Sequence, residues 1–148
     1  MPGLKALFGQ TIAPLLCTSG QLVAVDALGP RFVRIVVKGP DIRAADFHPG
    51  DKVQALLADG EFRTWTPFAA VDDTVSFVVF AHGDASTPSA RFAKTAKVGD
   101  TVSYFGPRGS LPIADVDGPA VLVGDETAFA VARTLRDHRA AAVPARDD

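Results

Sequence analysis

The sequence predicts a mainly β domain, an antiparallel barrel or sandwich, followed by the opening of an α/β unit. Three observations lead there. Short runs with period-two alternation recur along most of the chain, as in Val33-Ile35-Val37 and Val75-Phe77-Val79. Turn-forming residues separate these runs at short intervals, as antiparallel all-β domains require. Near the C-terminus the pattern changes to a wholly apolar run, a glycine turn and a helical period. A chain of 148 residues is long enough for one domain with its own core.

The elements follow in order. Leu4 to Leu16 is apolar, but Lys5, Gly9, Gln10, Thr11 and Pro14 interrupt it, unlike a signal peptide. A short amphipathic helix through Leu4, Leu7, Phe8 and Ile12 would pack on the core or at an oligomer contact. Gln21–Leu28 and Arg31–Lys38 are strands joined by a Gly29-Pro30 turn. Gly39-Pro40-Asp41 ends the second, and Pro49-Gly50-Asp51 turns the chain into Lys52–Ala58. Asp59-Gly60 is a hairpin signal leading to Phe62–Ala70. Thr74–Ala81 is the most β-rich run, and Gly99-Asp100 introduces Thr101–Phe105. A hydroxyl at Thr87 and proline at 88 predict a helix over Ser89–Lys97. Ala120–Val123 reads as a buried strand, turned at Gly124 into a helix from about Thr127 to Arg139 along Phe129, Ala132, Leu135 and Arg136. Ala140–Asp148 reads as a loose tail.

Composition narrows the function classes. Net charge is −2, so no broad basic field supports nucleic-acid binding, and no run is long enough to span a membrane. The single cysteine, Cys17, excludes an internal disulfide, fits a cytoplasmic setting and reads as a small buried apolar residue. His48, His82 and His138 lack metal-ligand spacing. There is no GxGxxG and no phosphate-binding P-loop. No serine or threonine stands in a recognisable relation to a histidine, so redox chemistry through a bound cofactor explains more than side-chain catalysis.

Four segments could carry chemistry. Arg63-Thr64-Trp65-Thr66 alternates, placing Arg63 and Trp65 on one face and Thr64 and Thr66 on the other. Alone, it reads as an exposed strand with a weak guanidinium–indole contact. Pro67 marks an edge or bend that would free Thr66, and the Arg63 fork suits a diphosphate. His82-Gly83 leads through Thr87 and Ser89 into a helix start that favours an anion, although such starts are mostly plain caps. Gly106-Pro107-Arg108-Gly109-Ser110 suits a tight turn that a flat ligand could approach. Asp125 and Glu126 before Thr127 read as helix capping.

Taken in order over roughly residues 20 to 135, these segments resemble the siderophore-interacting proteins, a branch of the ferredoxin-reductase-like flavoproteins. Arg63-Thr64-Trp65-Thr66 is similar to the family's Arg-x-Tyr-Thr flavin motif. His82-Gly83 and Pro88-Ser89-Ala90-Arg91-Phe92-Ala93 resemble its His-Gly and Gly-Pro-Ala-Ser-Arg-Trp-Ala stretches. Val98-Gly99-Asp100, Gly106-Pro107-Arg108-Gly109-Ser110 and Gly124-Asp125-Glu126-Thr127-Ala128 resemble its later motifs. The chain departs from the family at Thr87 (usually glycine), Phe92 (tryptophan) and Phe68 (often basic).

The resemblance implies a six-stranded antiparallel Greek-key FAD barrel followed by an α/β lobe for NAD(P)H. It implies electron transfer through flavin to a ferric siderophore. Arg63 would hold the pyrophosphate, Trp65 would pack on the flavin or its ribityl chain, and Thr66 would bond the isoalloxazine edge. Thr64, His82, Gly83, Gly106 and Thr127 would complete the site, with Thr87 and Ser89 binding phosphate at the helix start. Gripping the diphosphate at two places favours FAD over FMN. The expected layout is an extension over 1–19, the barrel over 20–118, the start of a truncated nucleotide lobe over 119–140 and a flexible tail over 141–148. With the lobe reduced to one strand and one helix, a protein electron donor is expected. The alternative is a non-redox binding module or biosynthetic catalyst reusing the flavin cleft, with a homodimer or partner on the exposed face.

Overall fold

Alternating apolar residues build an antiparallel sheet that curls around one core. A computed structural model describes residues 16–142 apart from 59 and 85. The strands are β1 (Thr18–Gly29), β2 (Phe32–Lys38), β3 (Asp51–Leu56), β4 (Phe62–Trp65), β5 (Pro67–Val71), β6 (Thr74–Phe80) and β7 (Thr101–Gly109). Helix α1 is Pro88–Thr95 and helix α2 is Phe129–Ala142. The strand order is β4-β3-β7-β1-β2-β6-β5, and every pairing is antiparallel. Among the described residues no helix is long and apolar enough to cross a membrane. The proposed amphipathic helix at residues 4–12 lies outside the described residues.

The expected strand Phe62–Ala70 is two strands, because the chain changes partner at Thr66. Before it, β4 pairs with β3; after it, β5 pairs with β6. Proline at 67 cannot donate a ladder bond, so it opens a new strand and does not continue the old one. The two edges of the sheet are therefore consecutive stretches of chain meeting at Thr66. Among the described residues no ladder joins them, so the expected six-stranded barrel is a curled seven-stranded sheet with one open seam.

The inward residues are those the alternation marks. Ile35 and Val37 on β2 and Val75, Phe77 and Val79 on β6 are buried together with Leu22, Val53, Ala55, Val102 and Tyr104. Phe77 meets the Tyr104 ring edge-on at 6.1 Å and the Trp65 ring at 5.5 Å. Trp65 in turn meets Phe92 of α1 at 5.3 Å, so this helix plugs one end of the curl. As expected, Thr87 caps α1 by accepting from the Ala90 N–H, and proline follows at the first helical position.

Four further expectations change. Ala120–Val123 is not a strand, and Val121 and Val123 are each 91% exposed. A wholly apolar strand needs ladder partners and covered faces, and this segment has neither among the described residues. Helix α2 runs on to Ala142, so residues 140–142 are helical and not tail; residues 143–148 lie outside the described residues. Its buried positions are Ala130 and Thr134, one turn apart, while Phe129 stays half exposed against the Phe32 ring. Gly106 to Gly109 continue β7 and form no turn: Gly106 and Pro107 sit at a bulge, and beyond it Arg108 and Gly109 pair with Lys52 and Asp51 of β3. Cys17 is half-buried, and desolvation pushes its thiol pKa up.

Burial also raises the Tyr104 phenol well above its ordinary pKa, with the nearby Asp46 charge adding to the effect. The raised group favours the neutral phenol in the folded state. Its contribution is fully present below the unfolded value of about 10 and is lost as pH rises above it. Denaturant titrations should show stability falling above about pH 10, and Tyr104→Phe should remove that part of the loss.

Candidate functional site

The open seam makes the site. Beyond the Phe77–Pro67 pair, Val78 to Phe80 of β6 keep their β2 ladder but have no partner on the seam side among the described residues. Among the described residues β4 likewise pairs only with β3. Two strand edges thus face each other with main-chain donors and acceptors turned to the gap. The start of α2 closes the third side. The resulting cleft has a volume of about 330 Å³, within the range of small-ligand sites.

Its wall brings together most of the residues singled out from the sequence. Arg63, Thr64, Trp65, Thr66, His82, Ser89 and Thr127 all line it. Opposite Ala55 and Val53, Arg63 and Trp65 share the inward face of β4, as the alternation predicts. Trp65 is 6% exposed and is held between Phe77 and Phe92, so it forms floor more than free surface. The expected Arg63–Trp65 cation–π contact is not seen among the described residues. Arg63 turns instead to Glu61, at 2.9 Å, and to the Phe62 carbonyl, at 2.8 Å. The cation over an aromatic ring is Arg133, 5.7 Å from the Phe68 centroid, and it ties α2 to β5. The Thr64 hydroxyl is engaged by Gln54 at 2.7 Å.

His82 leaves the end of β6 exposed and stacked on Phe80, with ring centroids 6.1 Å apart. Gly83 is needed beside it for two reasons. Its φ is +79°, and a Cβ there would come within 2.7 Å of the Thr87 methyl. Thr87 does not line the cleft. Its hydroxyl donates to the His82 carbonyl at 2.8 Å and accepts from Ala90, so it braces the loop. Ser89, buried in the first turn of α1, is the helix hydroxyl that lines the cleft. Gly106 lies away from the cleft, on β7 against Lys52 and Val53 of β3.

The acidic residues ahead of α2 cap a short 3-10 turn, Glu126–Ala128, that leads into the helix, in line with the capping read from the sequence. Asp125 Oδ1 accepts from the Thr127 N–H at 2.9 Å and from its hydroxyl at 2.6 Å. These bonds hold the Asp125 carboxyl below its usual pKa, with the nearby His82 as a minor contributor. Asp84 is lowered in the same way by the Ser86 hydroxyl and N–H.

Sequence reasoning missed Val78, Phe80, Ala128, Ala130 and Val131, which supply the apolar part of the wall. A signal existed for two of them. Val78 and Phe80 belong to the set of β6 that alternation turns away from the core, where polar residues are the norm. The lining contains one cation, four hydroxyls and a histidine, and no carboxylate. Such a surface can take a flat, partly apolar ligand with an anionic group near Arg63.

Residues 58–111 match a family model described as the siderophore-interacting FAD-binding domain. No curated protein matches the chain. Among solved structures, a siderophore utilization protein from T. fusca is 24% identical with a TM-score of 0.61, covering 86% of this chain and 56% of that one. The siderophore-interacting protein from Acinetobacter baumannii is 17% identical, with a TM-score of 0.55, covering 64% of this chain and 42% of that one. Phthalate dioxygenase reductase is 14% identical, with a TM-score of 0.60, covering 82% and 40%. The chain thus spans less than two thirds of each of these proteins. At such identities the likeness establishes a fold of the ferredoxin-reductase FAD-domain type.

Proposed function

From a chain whose residues 58–111 match the model of the siderophore-interacting FAD-binding domain, we propose that the seam cleft binds FAD and that the protein passes electrons through it to a ferric siderophore. The observation that carries this reading is the convergence of Arg63, Thr66, His82, Ser89 and Thr127 on one cleft with an apolar floor and no carboxylate among its lining residues.

The residues present fit the cofactor. The strand edges at Thr66 and Val78–Phe80 offer main-chain groups to a flat heterocycle with polar edges. Trp65, Val78 and Val131 would exclude water from one side of it. Arg63 would hold a phosphate by charge-assisted bonds, and the start of α1 at Ser89 would hold a second. Two phosphate grips favour the dinucleotide over FMN. Thr87, its hydroxyl engaged, would contribute by holding the loop, with its main chain toward the phosphate side. Bound FAD would supply a centre that accepts an electron pair and releases electrons one at a time. The electrons would come from a protein donor.

The test is direct. The purified chain should be yellow, or turn so on adding FAD. Loss of the Arg63 bonds in Arg63→Ala should weaken FAD binding by about 1.5–3 kcal/mol, roughly 10- to 150-fold in Kd by flavin-fluorescence titration. Unchanged affinity would place the phosphate elsewhere. A colourless protein that takes up no FAD would return the cleft to the non-redox binding alternative. Sustained NADPH oxidation with a ferric chelate by the pure chain would remove the need for a protein donor.

A further inference from the structure

Arg63 does not point into the cleft as an isolated cation. Its Nη1 donates to Glu61 Oε2 at 2.9 Å and to the Phe62 carbonyl at 2.8 Å. The pairing is built into the backbone. Glu61 O accepts from the Leu57 N–H at 2.9 Å, which fixes the residue at the hairpin just before β4. Residues two apart in an extended chain share a face, so Glu61 is held on the same side as Arg63. A guanidinium carries five N–H donors in a planar fork. With Nη1 committed, the Nε–Nη2 edge remains to take an anion in parallel bonds.

We propose that Glu61 is an internal anion that sets the phosphate affinity of Arg63, an inference that rests on the flavin reading above. Its carboxylate, 2.9 Å from Arg63 Nη1, neutralises Arg63 before the ligand arrives. A single phosphate meets a neutral pair and binds weakly. A ligand held at a second place, such as a dinucleotide, overcomes that loss. Glu61 is a positioning and selectivity residue and touches no reacting atom. Because its side chain is 57% exposed, salt screens the effect.

The substitution Glu61→Gln isolates the charge. The amide oxygen still accepts from Nη1 and keeps the guanidinium in place, while the negative charge is gone. FAD titrations followed by flavin fluorescence, at low ionic strength and near 1 M salt, would compare the parent chain, Glu61→Gln, Arg63→Ala and the double variant. The expected result is FAD binding about 3- to 10-fold tighter for Glu61→Gln at low salt, with the gain shrinking at high salt. The gain should vanish in the Arg63→Ala background, because Glu61 acts through Arg63. A gain of the same size in both backgrounds would overturn the proposal by showing a general field effect. Unchanged or weaker binding by Glu61→Gln, with the parent chain binding FAD, would overturn it while the flavin reading stands. No FAD uptake by the parent chain or by Glu61→Gln would overturn both.

Discussion

Replacing Phe77 with alanine should lower the free energy of unfolding by about 3–5 kcal/mol, the cost of a large aromatic cavity in a closed core. Phe77 is fully buried and touches the rings of Trp65 and Tyr104, so the gap opens among side chains that cannot all move in. A marginally stable domain of this size loses a large part of its stability in such a change. Urea unfolding of the variant would measure it from the midpoint at constant slope. The effect reaches the cleft as well. Trp65 rests on Phe77, and Pro67 pairs with Phe77 where the seam begins. Phe77→Leu, which refills most of the space, should recover much of the loss. A cost below about 1 kcal/mol for Phe77→Ala would mean that the core collapses around the gap.

Gly50→Ala should destabilise the fold by about 3 kcal/mol or more, and it does so through the backbone. Gly50 has φ +91°, and a Cβ there would lie 2.0 Å from the Leu111 carbonyl oxygen. That oxygen belongs to main chain held by the Leu111 N–H bond to the Gly50 carbonyl, at 3.0 Å, so it has no free direction of retreat. The clash adds to the cost of a left-handed conformation for a residue with a side chain. Strand β3 starts at the next residue, and β4 hangs on β3, so the displacement would carry Arg63 with it. Thermal unfolding should show the lower stability, and FAD affinity should drop alongside. A variant as stable as the parent would show that the turn at residues 49–50 can rearrange without cost.

Much of this was legible from residue type and spacing. The alternation on β2 and β6 marks Ile35, Val37, Val75, Phe77 and Val79 as core, since a strand with one covered face leaves no other pattern. Thr87-Pro88 marks the start of α1, because the hydroxyl and the fixed φ act locally. Pro67 marks the bend, for the same local reason. The acidic residues before Thr127 read correctly as a cap. The failures share a cause. Ala120–Val123 has the composition of a buried strand, but a strand exists only where another strand pairs with it. Gly106-Pro107 has the composition of a turn, yet β7 runs through it at a bulge because Arg108 and Gly109 beyond it pair with β3. In α2 the helical period was visible, but the face it buries depends on where the helix lands against β5.

The sequence by itself therefore determined the strand class, the main core positions, the cap of α1 and the candidate ligand residues. Each of those follows from interactions within a few residues or from a simple period. Only the tertiary structure decided that the sheet stays open between β4 and β6, that this opening is the cleft, and that Trp65 is its floor. It also decided that Arg63 meets Glu61 and not Trp65. Those facts depend on which distant segments share a ladder and which side chains are crowded out of a packed interior, and no local pattern encodes either.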